Sequence, residues 1–478
     1  MIDAVTNGAI SNNESGVKYI PGVITFITAN DLCVGCGLCS ALCPENALEM
    51  DWDESGFLVP VLSGICVNDQ SCLSVCPFNP EPKGKIQNEN DLANIFLKDT
   101  TQFNQRIGKY IGISTGFSHD FRSTSSSGGI ATYILSELLE KGVVSHVFSV
   151  RECHLPGIHY EYSRSSNKED LLATSKTKYF PVTLATVFAD IGILDGKVAI
   201  VGVACFIKSI RLAQIKNSSL KEKIPFLVGI ICGGVKSRFF TEYLSEKAGV
   251  PKGFCMSPLF RIKDENNRAS DYSFGCTDAT NHQARTLPMR KLGDMWGTGL
   301  FKANACDFCD DISTELADIS LGDAWLAPFS EDARGTNIII TRSLLAEKLI
   351  ATGIEQKRIQ SIELPLSNLL DSFKSSINHR QTGLLFRIIQ AEKHGHLVPE
   401  KRLYNETKLT FEFEIIQYLR LKIRKMSISV WKRSRNAGLF DRQMSLPLFI
   451  LKSSTKAYHF CEVVRSGSIL QKILKRIR

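Results

Sequence analysis

Eleven of the fifteen cysteines stand at spacings suited to metal chemistry. The run CVGCGLCSALCP carries Cys33, Cys36, Cys39 and Cys43 ahead of Pro44. Its pattern, C-x2-C-x2-C-x3-C-P, places three thiolates of a tight loop around one iron–sulfur cubane, while a fourth on the outgoing turn reaches another. Gly35 and Gly37 let backbone N–H groups approach the sulfides. The second run, CVNDQSCLSVCP, carries Cys66, Cys72 and Cys76 ahead of Pro77, with Asp69 where a further cysteine would complete the pattern. Crossed ligation groups Cys33, Cys36 and Cys39 with Cys76, and groups Cys43 with Cys66 and Cys72, leaving Asp69 at a fourth corner. A carboxylate is a harder ligand than a thiolate. Asp69 either holds an iron loosely through oxygen, or faces solvent and leaves a three-iron cluster. Zinc is the alternative reading, but zinc motifs usually pair two separated CxxC units.

Four further cysteines form a second constellation. Cys205 ends the apolar run IVGVACF, Cys232 ends LVGIICGG, and Cys306 and Cys309 form CDFC. Strands ending side by side would bring Cys205 and Cys232 to one edge of a sheet, where a CxxC on a following loop completes four thiolates. Buried structural thiols are the alternative on spacing alone. Cys153, Cys255, Cys276 and Cys461 lack any such spacing and read as ordinary thiols. The nine histidines form no HExxH pattern, no Ser/His/Asp signature stands out, and no catalytic acid or base is assigned.

The elements that must position these groups are legible in outline. Residues 1–25 are polar and read as a flexible N-terminus. Residues 26–80 hold seven cysteines in one compact unit, and PFNPEPKGK (77–85) is its exit linker because Pro and Gly interrupt regular structure. From 105 to 345 strand-like runs, such as KVAIVGVA (197–204) and PFLVGIIC (225–232), alternate with helical ones. GGIATYILSELLEKG (128–142) has helical apolar spacing and a glycine stop. The expected class is mixed α/β (α+β): an iron–sulfur domain, an α/β domain, a helical segment at 346–400 and a basic helical tail at 401–478.

The 478 residues, 44% hydrophobic and 22% charged, exceed one ordinary domain and exclude wholesale disorder. Cysteine is too sparse for a disulfide scaffold, and no run is long enough to cross a membrane. The N-terminus has no secretory pattern, so the thiols are expected in a reducing cytoplasm. Residues 401–478 hold 18 Lys and Arg against 5 Asp and Glu, whereas the first 400 carry a net −5. The positive charge is therefore expected in the tail and not in the catalytic body. IIQYLRLKIRKMSISVWKRSR (415–435) and SILQKILKRIR (468–478) place cations among apolar residues at helical spacing. They suit peripheral contact with an anionic membrane face or an acidic partner, or else a helical extension packed on the body. Aromatics are not interleaved as nucleic-acid binding requires, so no nucleic-acid partner is expected.

The cysteine unit resembles a two-cluster ferredoxin domain. From 105 to 345 the chain resembles the beta subunit of coenzyme F420 hydrogenases and dehydrogenases, a family that includes 7-hydroxymethyl chlorophyll a reductase. The matching segments are SSSGGIATYILSELLEKG (125–142), SKTKYFPV (175–182), VAIVGVACFIKSIR (198–211), LVGIICGG (227–234), LFRIKD (259–264) and CDFCDDISTELADISLGDAW (306–325). The resemblance implies FAD and an inner cluster held by Cys205, Cys232, Cys306 and Cys309. One departure is Gly202–Phe206, where the family has Gly-Thr-Pro-Cys-Gln; the cysteine survives without the proline and two polar side chains.

Within that resemblance, Ser127, Gly128 and Gly129 lead into a helix whose N-terminus would face a flavin phosphate. Lys176 and Lys178 would supply charge and Tyr179 a stacking ring. No GxGxxG follows a strand and no GxxxxGK[ST] occurs, which disfavours direct NAD or P-loop chemistry. Asp318 and Asp323 are expected to shape the loop around CDFC. The expected function is an iron–sulfur flavoprotein oxidoreductase, partnered by ferredoxin or another redox protein, that passes electrons between its ferredoxin-type clusters and FAD to reduce or oxidise a small organic substrate or a deazaflavin such as F420. The family also implies a sugar or lipid-linked sugar substrate from surface polysaccharide biosynthesis. The rival is a non-catalytic electron-transfer subunit of a larger complex.

Overall fold

A computed structural model of the chain describes residues 9–10, 18–155, 157–403 and 409–465. Two antiparallel strands, β1 (Leu48–Trp52) and β2 (Leu58–Leu62), and two single-turn helices, α1 (Leu38–Ala41) and α2 (Ser71–Ser74), frame the first cysteine unit. Gly37 precedes α1 at φ +82°, and a Cβ there would lie 2.9 Å from the Ala185 nitrogen. Only glycine permits that approach, and through it the cysteine unit docks on the larger domain. Val23, Ile27, Leu38, Val75 and Phe78 share one core with Phe188, Phe206, Ile207 and Ile210. The unit is thus built into the body. Its core also takes Val23 from the stretch expected to be a flexible leader. Residues 1–8 and 11–17 of that stretch lie outside the described residues.

The larger domain is centred on an eight-stranded mixed sheet. Its strands are β3 (Gly112–Ser118), β4 (His146–Glu152), β5 (Tyr160–Ser165), β6 (Val198–Val203), β7 (Phe226–Ile230), β11 (Ile319–Asp323), β12 (Asn337–Thr341) and β13 (Ile359–Glu363). The order is β13-β3-β12-β11-β7-β6-β4-β5. β4, β6, β7 and β11 run parallel, flanked on both sides by antiparallel strands. Val198, Ala199 and Ile200 of β6 and Phe226, Leu227 and Val228 of β7 are fully buried, as parallel strands covered on both faces require. Each such large aliphatic or aromatic side chain contributes about 1.5–3 kcal/mol by leaving water. A separate antiparallel sheet comprises β8 (Cys255–Ile262), β9 (Ser273–Asp278) and β10 (Gln283–Pro288).

The helices follow the sequence pattern closely in the first half. α4 (Ile130–Glu140) ends before Gly142, which takes φ +64°. α7 (Ala204–Lys216) begins on the residue after β6, and α8 (Arg238–Lys247) packs on the second sheet with Phe239, Phe240 and Tyr243. Further helices of this half include α3 (Glu89–Phe96), α5 (Lys168–Ala173) and α6 (Ala185–Ile193). The stretch expected to be helical at 346–400 contains α9 (Leu344–Glu355) and α10 (Leu384–Lys393), but also the edge strand β13. The tail forms a hairpin of two long helices, α11 (Phe411–Ser434) and α12 (Ala437–Arg465). α11 buries Ile416, Ile423, Val430 and Trp431 in the core that holds Phe240, Phe301 and Phe440. The segment 415–435 is therefore chiefly a packed extension of the body, and residues 468–478 lie outside the described residues. No described helix is long and apolar enough to cross a membrane.

Candidate redox site

Two small cavities divide the cysteines of the first unit, each with about 350 Å³ of space between protein atoms, part of it open to solvent. Cys33, Cys36, Cys39 and Cys76 line one. Cys43, Cys66, Cys72 and Asp69 line the other. These are the two crossed sets read from the spacing. All cysteines are free thiols. Backbone N–H groups point at their sulfurs: Gly35 at Cys33 (3.4 Å), Ala47 at Cys43 (3.3 Å) and Asn68 at Cys66 (3.4 Å). Such donors stabilise thiolates, and they suit cluster ligands better than neutral core thiols. Burial pushes the Cys33 thiol up to about 12, and the neighbouring thiol Cys36 adds to the shift. Bound iron reverses that preference, since a coordinating thiol is deprotonated outright. The donor set thus fits iron–sulfur cubanes.

Asp69 lines the outer cavity, and its Oδ1 accepts from Ser71 N (3.0 Å) and Ser71 Oγ (2.9 Å). Slight burial opposes its charge, but these bonds and Lys216 hold its carboxyl below the usual range. These bonds to Ser71, the first residue of α2, give Asp69 a local role in the turn without reference to iron. Cys66 is flanked by Ile65 and Val67, which are 78% and 53% exposed.

The second constellation converges as well. Cys205 is the second residue of α7, directly beyond β6, and Cys232 lies two residues beyond the parallel neighbour β7. Cys306 lies in a turn of 3-10 helix, Asn304–Phe308, and Cys309 follows it. Burial pushes the Cys205 thiol well up, and Cys306, Cys232, Cys309 and Cys36 act on it in turn as near neighbours. Gly234 N donates to Cys232 Sγ (3.2 Å) and Val235 N to Cys306 Sγ (3.2 Å). The first unit touches this one through α7. Cys36 Sγ lies 3.6 Å from Ser209 Oγ, and Ser209 is one helical turn, about 6 Å, beyond Cys205. Ser209 Oγ in turn donates to Val75 O (2.7 Å), which fixes the hydroxyl between the two units.

Sequence reasoning missed the cations around CDFC. Arg380 is buried; its Nη1 donates to Cys309 Sγ (3.4 Å) and Asp311 O (2.7 Å), and its Nη2 to Cys232 O. Arg424 Nε and Lys302 Nζ each lie 2.6 Å from Asp307. Arg402 pairs with Asp310 (2.9 Å) and with Glu315. Part of the tail's positive charge is therefore internal and neutralises the acidic segment that carries the inner cysteines. Asp318 accepts from Leu227 N (2.9 Å) and Arg211 (3.1 Å), which makes it a tie between β7 and α7.

Arg380 has a measurable consequence. Losing a cation and its charge-assisted bonds disfavours the more negative, reduced state of whatever the four thiolates hold. Arg380→Gln is expected to lower, by on the order of 50–100 mV, the midpoint potential of a cluster held by these four thiolates. Arg380→Lys should restore most of it, and the other two clusters should not move. A redox titration followed by EPR reads all three together; an unshifted inner potential would remove Arg380 from this role.

The segments assigned to flavin are brought together beside Cys232. Thr177 N donates to Ser126 Oγ (2.8 Å) and Ser175 Oγ to Thr124 O (3.2 Å). The glycines, however, face protein. A Cβ on Gly128 would lie 2.7 Å from Gly116 O, and Gly129, at φ +79°, is pressed on Phe121. Asn337 Oδ1 takes the Ile130 N–H at the start of α4 (3.2 Å), and Ser127 Oγ donates to Thr336 O (3.2 Å). Packing accounts for these residues. Lys178 is committed to the carbonyls of Thr174 and Ser175 at the end of α5. Burial, with Lys176 nearby, pushes it down to about 7.

Other groups form the open chemistry there. Arg261 and Lys263 alternate along β8 and its exit, and Arg261 pairs with Asp323 at the end of β11 (2.7 Å). Lys263 Nζ donates to the carbonyls of Arg122 (2.7 Å) and Ser127 (3.1 Å), and burial with Arg122 and Arg261 nearby pushes it down to about 8. Ser125 Oγ and Arg261 Nε are buried without a partner. Tyr179 meets Trp296 edge-on at 4.5 Å and Phe260 at 5.5 Å. The ring of Trp296 covers Gly233, next to Cys232; a Cβ on that glycine would lie 3.0 Å from it. Unpaired donors, crowded cations and aromatic rings fit an anionic aromatic cofactor. The R-x-K alternation in LFRIKD was the signal for Arg261 and Lys263.

The fold and the thiol sets define an iron–sulfur redox protein. Residues 113–189 and 195–365 match the N-terminal and C-terminal parts of the coenzyme F420 hydrogenase/dehydrogenase beta subunit, and residues 32–79 match the 4Fe-4S dicluster domain. The chain belongs to that family of beta subunits. It is 23% identical to a subunit of the F(420)H(2) dehydrogenase of Methanosarcina mazei over 69% of this chain and 84% of the relative. It is 24% identical to the coenzyme F420-dependent sulfite reductase of Methanocaldococcus jannaschii over 74% of this chain, and spans about half (52%) of that protein. A chain of the F420-reducing [NiFe] hydrogenase complex from Methanosarcina barkeri is similar at a TM-score of 0.47 and 19% identity, covering 63% of this chain and 99% of that one.

Proposed function

We propose that the chain is an iron–sulfur flavoprotein that exchanges electrons between a one-electron protein partner and an organic two-electron acceptor. The observation that carries this reading is the continuity of the thiol sets: Cys36 meets Ser209, one turn from Cys205, and Cys232 adjoins Gly233, which the Trp296–Tyr179 ring pair covers. When bound, clusters carry single electrons and a flavin carries one or two, which together interconvert the two kinds of carrier.

The chain's own residues do the rest. Cys33, Cys36, Cys39 and Cys76 hold one cluster; Cys43, Cys66 and Cys72, with or without Asp69, hold the next. Cys205, Cys232, Cys306 and Cys309 hold the third. Arg261 and Ser125 would take the flavin's phosphates, with Lys263 exchanging its bonds to the Arg122 and Ser127 carbonyls for them and Lys176 at the rim. Tyr179 and Trp296 would supply the aromatic wall for its ring system and exclude water there. Exposed Ile65 and Val67 beside Cys66 supply an apolar contact for the partner protein. That patch equally favours the second reading, a subunit that hands electrons onward within a complex and turns over no small molecule of its own. The acceptors to compare are a deazaflavin such as F420 and a lipid-linked sugar.

Anaerobic reconstitution tests this reading. About twelve iron and one FAD per chain are expected, about eleven iron if the Asp69 site holds three. Reduced ferredoxin should bleach the flavin, and the acceptor that reoxidises it names the substrate class. Bleaching that no small acceptor reverses would favour the subunit reading; a chain that takes no flavin would end the proposal. Lys263 also sets a pH dependence. An anion favours protonated Lys263, so FAD binding should take up protons and weaken as pH rises through about 8. Calorimetry in buffers of different ionisation enthalpy checks this, and a pH-independent affinity would place the phosphates elsewhere.

A further inference from the structure

The last helix, α12, is apolar on two opposite sides. Toward the body it buries Ala437, Phe440, Met444 and Leu451. On the other side Leu439, Leu446, Phe449, Ile450, Phe460 and Val464 are 43–66% exposed. At about 100° per residue these six fall within a sector of roughly 100°, centred opposite the buried face, and they run about 37 Å along the axis. A patch of that length on a protein surface marks a contact.

The charges around the stripe select what covers it. Arg442 lies within the sector, Lys456 about 20° beyond its edge and Lys452 about 60° beyond it on the same flank, all three exposed. The helix's acids point elsewhere: Asp441 accepts from Tyr243 (2.8 Å) and Lys247 (2.6 Å) of the body, and Glu462 falls on the buried side with Arg465 3.7 Å away. The thirteen residues that follow in the sequence add four cations and no acid. A second copy laid on this face would oppose cation to cation. An anionic lipid surface answers both features at once, apolar side chains entering the acyl boundary and cations meeting the headgroups.

We propose that α12 lies flat on an anionic membrane, with Leu446, Phe449, Ile450 and Phe460 inserted and Arg442, Lys452 and Lys456 on the lipid phosphates. This is independent of the redox reading. It would hold the cleft and the clusters at a surface where lipid-borne substrates or membrane partners are found.

Sedimentation of the full-length, cluster-loaded protein with vesicles tests it. The protein should pellet with phosphatidylcholine–phosphatidylglycerol vesicles, far less with phosphatidylcholine alone, and less as salt is raised. Leu446→Ser with Phe449→Ser should weaken partitioning about tenfold or more. Lys452→Glu with Lys456→Glu should weaken it by a similar factor on anionic vesicles. Both pairs are exposed, and unchanged cluster absorbance with unchanged far-UV circular dichroism reports intact folding. Failure to pellet with anionic vesicles would overturn the proposal, as would serine variants that bind like wild type. A dimer that light scattering shows dissolving in the serine variant would overturn it in favour of a second copy.

Discussion

Arg402→Met is expected to cost about 3–5 kcal/mol of stability, the largest loss among these replacements, because it strands buried carboxylates. Arg402 meets Asp310 at 2.9 Å, Glu315 through both guanidinium nitrogens, and Asn90 at 3.1 Å. Asp310 is fully buried, and Glu89 and Glu315 nearly so. Lys401 and Lys208 share Glu89 but cannot reach Glu315's place in the network. Burial already pushes Glu315 up to about 7 against the pull of Arg402, with Asp311 as a repelling neighbour. Its folded pKa exceeds the ordinary value of 4.5, so the folded state holds the extra proton between them. The stability that proton allows is lost as pH rises through the folded pKa. Removing Arg402 drives that pKa higher still, so the loss should be greater at alkaline than at mildly acidic pH. Denaturant titration at two pH values checks both sign and size. Arg402→Lys, which keeps the charge without the fork, should fall between. A near-neutral Arg402→Met would show that the acidic segment is neutralised otherwise.

The second large effect falls on electron flow. Cys205→Ser removes one thiolate from the inner set and leaves the other two sets untouched. Iron should drop by about a third, from about twelve to about eight per chain. Flavin reduction from reduced ferredoxin should slow by on the order of a hundredfold or more, while dithionite still reduces the remaining clusters. Folding is not threatened: position 205 sits at the start of α7, half-buried, and its turn carries Ile207 and Ser209 unchanged. A variant with full iron content and wild-type bleaching would dissociate the inner cysteines from the path.

The parts of this arrangement that were legible in the sequence share one property: they are local. C-x2-C-x2-C-x3-C-P fixes four ligands within eleven residues, and the cavities then sort Cys76 with the first three as the crossed rule requires. Unbroken apolar runs marked β6 and β7, and their parallel pairing delivered Cys205 and Cys232 to one edge. What was not legible is long-range. Arg380 and Cys309 are 71 positions apart, and Arg424 and Asp307 117 apart, with no spacing to announce either pair. A surplus of tail cations looked like a solvated face because sequence does not show which carboxylates they neutralise. β13 was hidden because only Ile359 of its five residues is buried. Gly128 and Gly129 looked like a phosphate loop, yet their small size serves the close approach of β3, β12 and the Phe121 turn. The contacts proposed for flavin, Lys263 and Ser125, needed the second sheet to be seen against the first.

The claim on which most depends is that three thiol sets lie close enough to act as one conductor. EPR of the fully reduced, anaerobically reconstituted protein measures that directly through the magnetic coupling of neighbouring reduced clusters. Split, interacting signals are expected in wild type, simplifying in Cys205→Ser to the coupled pair of the first unit alone. A wild-type spectrum that is merely the sum of isolated clusters, or one that Cys205→Ser leaves unchanged, would contradict it.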